Sequence, residues 1–283
     1  MFVGIHTDGW DGIERDEDKY YAVMMRNLHE VLDEKGVNLV ITILNPSGEN
    51  GNQRVMKSIT ENRDTLITNM IAFANKYEFD GIDLDWEFPL SQDEFDAYNS
   101  FLQELKARMK TEMWNKEDAT LSLALATWAL KYTPETIECI DYVNVMGYDI
   151  LDQDGQHSSF FSSCVQAADY IEIQSRGFSK EQINIGFPFY GTWEGGRMEQ
   201  YAYNAISEEI SPFNNFYTMK KSDTKEDRYT YFNSQAIIRD KTAYAYLKGY
   251  GGVMIFSQYC DLPSDDERSL TKAISDYLQE VTK

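Results

Sequence analysis

Three carboxyl groups stand two residues apart in the stretch from Phe79 to Pro89, FDGIDLDWEFP: Asp83, Asp85 and Glu87. Between and after them come Ile82, Leu84, Trp86 and Phe88, all large and apolar. Successive side chains of a β-strand point to opposite faces, so this alternation predicts a strand with three acids along one face and an apolar surface on the other. Carboxyls so spaced lie roughly 6.5 to 7 Å apart, and in a half-buried setting they cannot all ionise cheaply. At least one is expected to hold a proton near neutral pH. A protonated carboxyl beside a carboxylate suits cleavage of a glycosidic bond, where one group donates to the leaving oxygen while another manages the developing positive charge. Glu87 lies nearest the strand's C-terminal end, where barrels of parallel strands form their active sites, and is the candidate acid. Two other readings compete. Hard divalent cations also collect Asp and Glu oxygens, and a charged edge strand can simply face water. The helix-like segments before and after imply instead a parallel strand covered on both faces.

Those segments belong to an alternating series that has to position the acids. Residues 2 to 6 read as a strand, and Tyr21, Met24, Met25, Leu28, Val31 and Leu32 follow with helical spacing up to Gly36, an expected C-cap. The β-branched run Val37 to Leu44 predicts a second strand, ending in the loop Asn45-Pro46-Ser47-Gly48. Leu66, Ile67, Met70, Ile71, Ala74 and Tyr77 form a helical stripe that delivers the chain into the acidic strand. Ser91 then reads as an N-cap before the stripe Phe95, Tyr98, Leu102, Leu105 and Met109. Thr120 to Ala126 predicts a strand, Pro134 a short helix, and Asp141 to Asp149 a strand with Asn144, Met146 and Tyr148 on one face. A helix over 162 to 175 and a strand over Ile183 to Phe187 come next. From Thr192 to about Tyr231 the pattern dissolves into Tyr, Asn, Ser and Glu, which reads as an inserted β-rich or irregular subdomain. A helix over Ser234 to Leu247, a strand over Gly251 to Ser257, and a last helix striped by Leu270, Ile274, Tyr277 and Leu278 complete the series. Seven strands alternating with helices predict an α/β fold with a parallel sheet closed as a barrel.

Composition narrows the partners. With 283 residues, 42% of them apolar, the chain can bury one large core. A net charge of −21 argues against nucleic acid and anionic membranes, because phosphate attraction needs a basic surface, and leaves a neutral partner open. The 19 Tyr, 15 Phe and 5 Trp suit stacking on sugar rings, although barrel cores also consume aromatics. Cys139, Cys164 and Cys260 are far apart, show no metal-ligand spacing, and read as buried free thiols. No apolar run is long enough for a transmembrane helix, and MFVGIHTDGW lacks the basic and apolar regions of a signal peptide, so the cellular location stays open.

At four places, in order along the chain, the sequence resembles glycoside hydrolase family 18, the chitinases and their relatives. The family's DGxDxDxE signature is matched by Asp80, Gly81, Asp83, Asp85 and Glu87. MGYD, with Met146, Tyr148 and Asp149, is similar to its sixth-strand segment; IGFPFYG from Ile185 to Gly191 resembles its seventh, and GGVMIF from Gly251 to Phe256 its eighth. The resemblance implies a (β/α)8 TIM barrel. The signature lies on the family's fourth strand but on the third here, so the expectation is a barrel incomplete at the N-terminus, lacking its first βα unit. It is expected as a single catalytic domain over 1–283, with a small insertion, 192–231, after the seventh family strand.

The resemblance also implies roles. Glu87 protonates the glycosidic oxygen and then acts as base towards water. Asp85 orients the substrate's 2-acetamido group, whose own oxygen attacks the anomeric carbon, and Asp83 shares a proton with Asp85. Tyr148 hydrogen-bonds the acetamido oxygen and Asp149 holds the distorted sugar. Met146, Phe256, Tyr190 and Trp128 line the sugar. No protein nucleophile, cofactor or metal is implied, an exception to the usual pair of carboxylates. The implied partner of what is expected to be a monomer is an N-acetylglucosamine-containing oligo- or polysaccharide, β-1,4-linked as in chitin. Action on the chitobiose core of N-glycans and sugar binding without catalysis are the alternatives. The chain departs from the family pattern in two further places. Thr42, Ile43, Leu44 and Asn45 stand where Ser-x-Gly-Gly is common, and Phe256 stands where the last strand usually carries Trp.

Overall fold

The structure is a computed structural model that describes residues 2–5, 18–46, 50–126, 130–149, 177–193, 196–206, 211–220 and 227–283. The chain forms two compact units, Met1–Val143 and Asn144–Lys283. The helix expected over 162 to 175, together with Trp128 and Cys164, lies outside the described residues.

In the first unit, strands β1 (Phe2–Ile5), β2 (Val40–Leu44), β3 (Gly81–Asp85) and β4 (Thr120–Leu125) pair in parallel and in chain order. Parallel neighbours need a crossover, and helices supply it: α1 (Asp18–Leu32), then α2 (Gly51–Thr60) with α3 (Arg63–Lys76), then α4 (Gln92–Glu112). Gly36 adopts φ +61° and closes the 3-10 turn Asp33–Lys35 after α1, a conformation that only glycine takes without strain. At α4 the Ser91 hydroxyl accepts from the Glu94 N–H while the Glu94 carboxylate accepts from the Ser91 N–H, a reciprocal capping box. Helical spacing then turns Phe95, Tyr98, Phe101, Leu102, Leu105 and Met109 inward, each at most 2% exposed. Burial of such side chains contributes about 1.5–3 kcal/mol apiece before chain entropy is subtracted. Lys106 is buried on the same helix, its Nζ donating to the Ala119 carbonyl and to Asp141 Oδ2 at 2.7 and 2.6 Å. Asp141 in turn accepts from the Leu121 N–H, which ties α4 to β4. The short helix α5 (Pro134–Cys139) starts at a Thr133 cap with proline in its first turn, and β5 (Tyr142–Val145) follows.

The second unit contains β6 (Ile183–Pro188) and β11 (Gly252–Phe256), parallel neighbours with Gly186 opposite Met254. Between them in sequence lie β7 (Tyr190–Trp193), β8 (Gly196–Ala202), α6 (Tyr203–Ile206), β9 (Phe216–Lys220) and β10 (Asp227–Tyr231). These four strands form an antiparallel sheet in the order β8-β7-β10-β9. Helix α7 (Gln235–Lys248) is capped by the Ser234 hydroxyl and stopped by Gly249, and α8 (Leu270–Val281) ends the chain.

Among the described residues seven strands, β1 to β6 and β11, carry the barrel-type sheet, one fewer than a closed eight-stranded barrel. The fold is α/β, an incomplete (β/α)8 barrel. Three expectations need correction. The acidic strand ends at Asp85 rather than continuing to Pro89, and β5 ends at Val145 rather than Asp149, because pairing with neighbouring strands stops before the side-chain alternation does. Helix α2 fills the stretch between the second strand and the next predicted helix, where the sequence pattern predicts no element.

Candidate active site

Strand β3 is flanked on both sides in the first unit, with Asp83 opposite Thr42 of β2 and Ser122 of β4, and Asp85 opposite Leu44. Ile82 and Leu84 point into the core and are at most 1% exposed. The acids are graded by depth: Asp83 is buried, Asp85 half-buried and Glu87 exposed. Asp83 Oδ1 accepts from the Ser122 hydroxyl at 2.5 Å. The Tyr142 phenol is hydrogen-bonded to Ser122 as well, and burial pushes it up to about 12. Tyr98 of α4 packs edge-on against Trp86, and burial, with the fields of Tyr132, Asp83 and Asp85 added, holds its phenol neutral. Asp85 Oδ1 is buried and accepts no hydrogen bond from the described residues. Burial, then the charges of Glu87 and Asp83, raise the Asp85 carboxyl from 3.8 to about 7. A carboxyl in that range can hold or release a proton at neutral pH. Glu87 lies two residues past the strand, and its N–H donates to Asn45 Oδ1 at 2.9 Å.

The second unit carries its own group. Tyr148 and Phe256 stack with centroids 5.6 Å apart and planes at 14°, and Tyr190 meets both edge-on at 6.2 Å. Phe256 is 47% exposed, leaving aromatic surface for a ligand. A Cβ on Gly186 would stand 2.3 Å from the Val145 carbonyl and 3.0 Å from Tyr148, so only glycine lets β6 pass this close. The Tyr190 hydroxyl donates to Asp149 Oδ1 at 2.7 Å. Burial raises the Asp149 carboxyl above its ordinary value and the Tyr190 hydrogen bond opposes the rise. Asp149 adopts φ +54°, a left-handed conformation uncommon outside glycine, asparagine and aspartate. Met146 is half-buried beyond the end of β5.

The structure thus brings Asp83, Asp85 and Glu87 together at the end of β3, and Tyr148, Asp149, Tyr190 and Phe256 together in the second unit. Ser122, Asn45 and Asn52 touch the acidic segment, with Tyr142 hydrogen-bonded to Ser122 behind it, and were not expected from sequence. Ser122 lies on β4 and Asn45 just past β2, both strands paired with β3, and Asn52 lies on α2, neighbours that alternation within one strand does not reveal. Among the described residues no three His, Cys, Asp or Glu side chains are grouped to hold a metal ion. Cys139 and Cys260 are free thiols, half-buried rather than buried.

A sheet of parallel barrel strands that ends in a graded row of carboxyls is a barrel able to carry acid–base chemistry at its strand ends. Residues 2–261 match the model of glycosyl hydrolases family 18, and the chain belongs to that family. The killer toxin subunits alpha/beta of Kluyveromyces lactis are 33% identical over 153 residues, covering 48% of this chain and 13% of their own length. The chain therefore spans a small part of that relative. Among solved structures, a mutant GH18 chitinase from Cycas revoluta in complex with (GlcNAc)4 aligns with a TM-score of 0.76 at 20% identity, over 98% of this chain and 91% of that one. A chitinase-like agglutinin from Robinia pseudoacacia aligns with a TM-score of 0.74 at 20% identity, over 98% of this chain and 92% of that one. Likeness at that identity establishes the shared fold.

Proposed function

We propose that the chain hydrolyses β-1,4-linked N-acetylglucosamine polymers or oligomers with retention of configuration, using the substrate's own acetamido group as nucleophile. The observation that carries this reading is the Asp85 carboxyl, raised to about 7 between buried Asp83 and exposed Glu87. Glu87 donates its proton to the glycosidic oxygen and later activates water. Asp85, with Asp83 behind it, orients the acetamido group so that its carbonyl oxygen attacks the anomeric carbon. Ser122 steadies Asp83 by donating to it. Tyr148 donates to the acetamido oxygen, Asp149 holds the distorted ring, and Phe256, Tyr190, Met146 and Trp128 contact the sugar. A (GlcNAc)4 complex among the fold neighbours supports this substrate class. In this reading residues 1–283 are one catalytic domain acting as a monomer, and 192–231 are an insertion within it.

The test is Glu87→Gln, which keeps the shape and removes the acid. Release from a chromogenic chitooligosaccharide is expected to fall to background, and unchanged release refutes the assignment. One observation favours a second reading: an agglutinin shares the fold. Binding of chitooligosaccharide by calorimetry, with no products from the wild-type chain, would select non-catalytic sugar binding. Products cut only from N-glycans would select endo-β-N-acetylglucosaminidase action.

A further inference from the structure

We infer that Asn45 and Asn52 are positioning residues for Glu87, an inference that rests on Glu87 being the acid. Glu87 is exposed and lies two residues beyond the end of β3, so strand pairing does not fix its backbone. A general acid displaced by an ångström loses much of its effect, and the backbone that carries it has to be held by other means.

Two side-chain amides hold it. Asn45, the residue after β2, donates its own N–H to the Asp85 carbonyl at 3.2 Å and accepts the Glu87 N–H on Oδ1 at 2.9 Å. Its Nδ2 donates to the Pro46 carbonyl at 3.2 Å, an arrangement that leaves Oδ1 turned to Glu87. Asn52, in the first turn of α2, accepts the Trp86 indole N–H at 3.0 Å and donates from Nδ2 to the Phe88 carbonyl at 2.9 Å. The residues on either side of Glu87 are therefore tied to one amide. Asn52 also donates to Glu94 Oε1 at 3.2 Å, while Glu94 Oε2 accepts from the Leu90 and Ser91 N–H groups at 2.8 Å each. Against some desolvation, the hydrogen bonds from Ser91, Leu90 and Asn52 hold the Glu94 carboxyl below its ordinary value, so it stays an ionised acceptor. The corner where the two amides arise is tight. A Cβ on Gly51 would stand 2.6 Å from the Pro46 carbonyl, so the start of α2 can approach the Asn45–Pro46 turn this closely only with glycine there.

A purely scaffolding role predicts that losing these amides lowers the amount of folded protein and leaves turnover per folded molecule unchanged. A positioning role predicts a fall in kcat with KM preserved, because substrate contacts remain while the acid is misplaced. Asn45→Ala and Asn52→Leu are to be compared with the wild-type chain on a soluble chitooligosaccharide, with the folded fraction measured by circular dichroism. The expected result is kcat lowered by about 10- to 100-fold with KM within about twofold. Wild-type kcat per folded molecule in Asn45→Ala overturns the inference, whether or not Asn52→Leu folds. Wild-type turnover that survives Glu87→Gln removes the acid and the inference together. Turnover abolished by Glu87→Gln but untouched by Asn45→Ala leaves the acid standing and removes the inference alone.

Discussion

Asp85 is the residue at which the sequence left a choice and burial made it. Spacing alone showed that three acids on one strand could not all ionise, and in the fold burial raises Asp85, half-buried between a deeper and a shallower acid. Its folded value of about 7 stands above the ordinary 3.8, so between these limits the folded chain binds more protons than the unfolded one. The contribution to stability is therefore present at low pH and lost as pH rises through about 7. Asp85→Asn removes this titration, so its stability relative to wild type is expected to improve from pH 4.5 to pH 8. A shift of about 3 units at 1.36 kcal/mol each sets an upper limit of ~4 kcal/mol, reduced by whatever solvent reaches the carboxyl. Thermal melts of both proteins at the two pH values measure it, and a pH-independent difference contradicts the assignment. Tyr190 and Asp149 make a similar point. Both were legible as motif residues, whereas their hydrogen bond depends on two segments 41 residues apart in sequence meeting in space.

Among the elements, the long regular helices were the most legible and α2 the least. Helix α4 announced itself by an N-cap serine, acidic residues in its first turn, and an apolar stripe of about four turns from Phe95 to Met109. Helix α2 offers only Val55 and Ile59 as fully buried apolar anchors and begins Gly-Asn, which continues the loop chemistry of Asn45-Pro46-Ser47-Gly48. At its start a Cβ on Gly51 would meet the Pro46 carbonyl, so the close approach there requires glycine. The capping box of α4 carries a prediction at this scale. Ser91→Ala removes one half of the box and is expected to cost about 1 kcal/mol of stability. Urea denaturation measures the loss. A change below about 0.2 kcal/mol would mean that water replaces the serine without penalty.

For the molecule as a whole, a net charge of −21 makes self-repulsion a general opponent of folding at neutral pH. Raising NaCl from 20 to 300 mM shortens the screening length, so the melting temperature is expected to rise by several degrees. Affinity for a neutral oligosaccharide is expected to stay constant over the same range. A melting temperature that falls with salt would show that attractive ion pairs such as Lys106–Asp141 and Arg108–Asp64 outweigh the repulsion. From the sequence alone came the βα alternation, the acidic row on its strand and the family signature. Of the helix caps, Gly36 and Ser91 were among these; all are written within a few residues, in the periods of strand and helix and in local cap chemistry. Tertiary structure decided that burial lifts Asp85, where β3 and β5 end, and that Ser122, Asn45 and Asn52 reach the acidic segment. The bonds Ser122–Asp83, Trp86–Asn52 and Asn45–Glu87 join residues 39, 34 and 42 positions apart. Strand register and burial set such contacts, and neither is a property of any short stretch of chain.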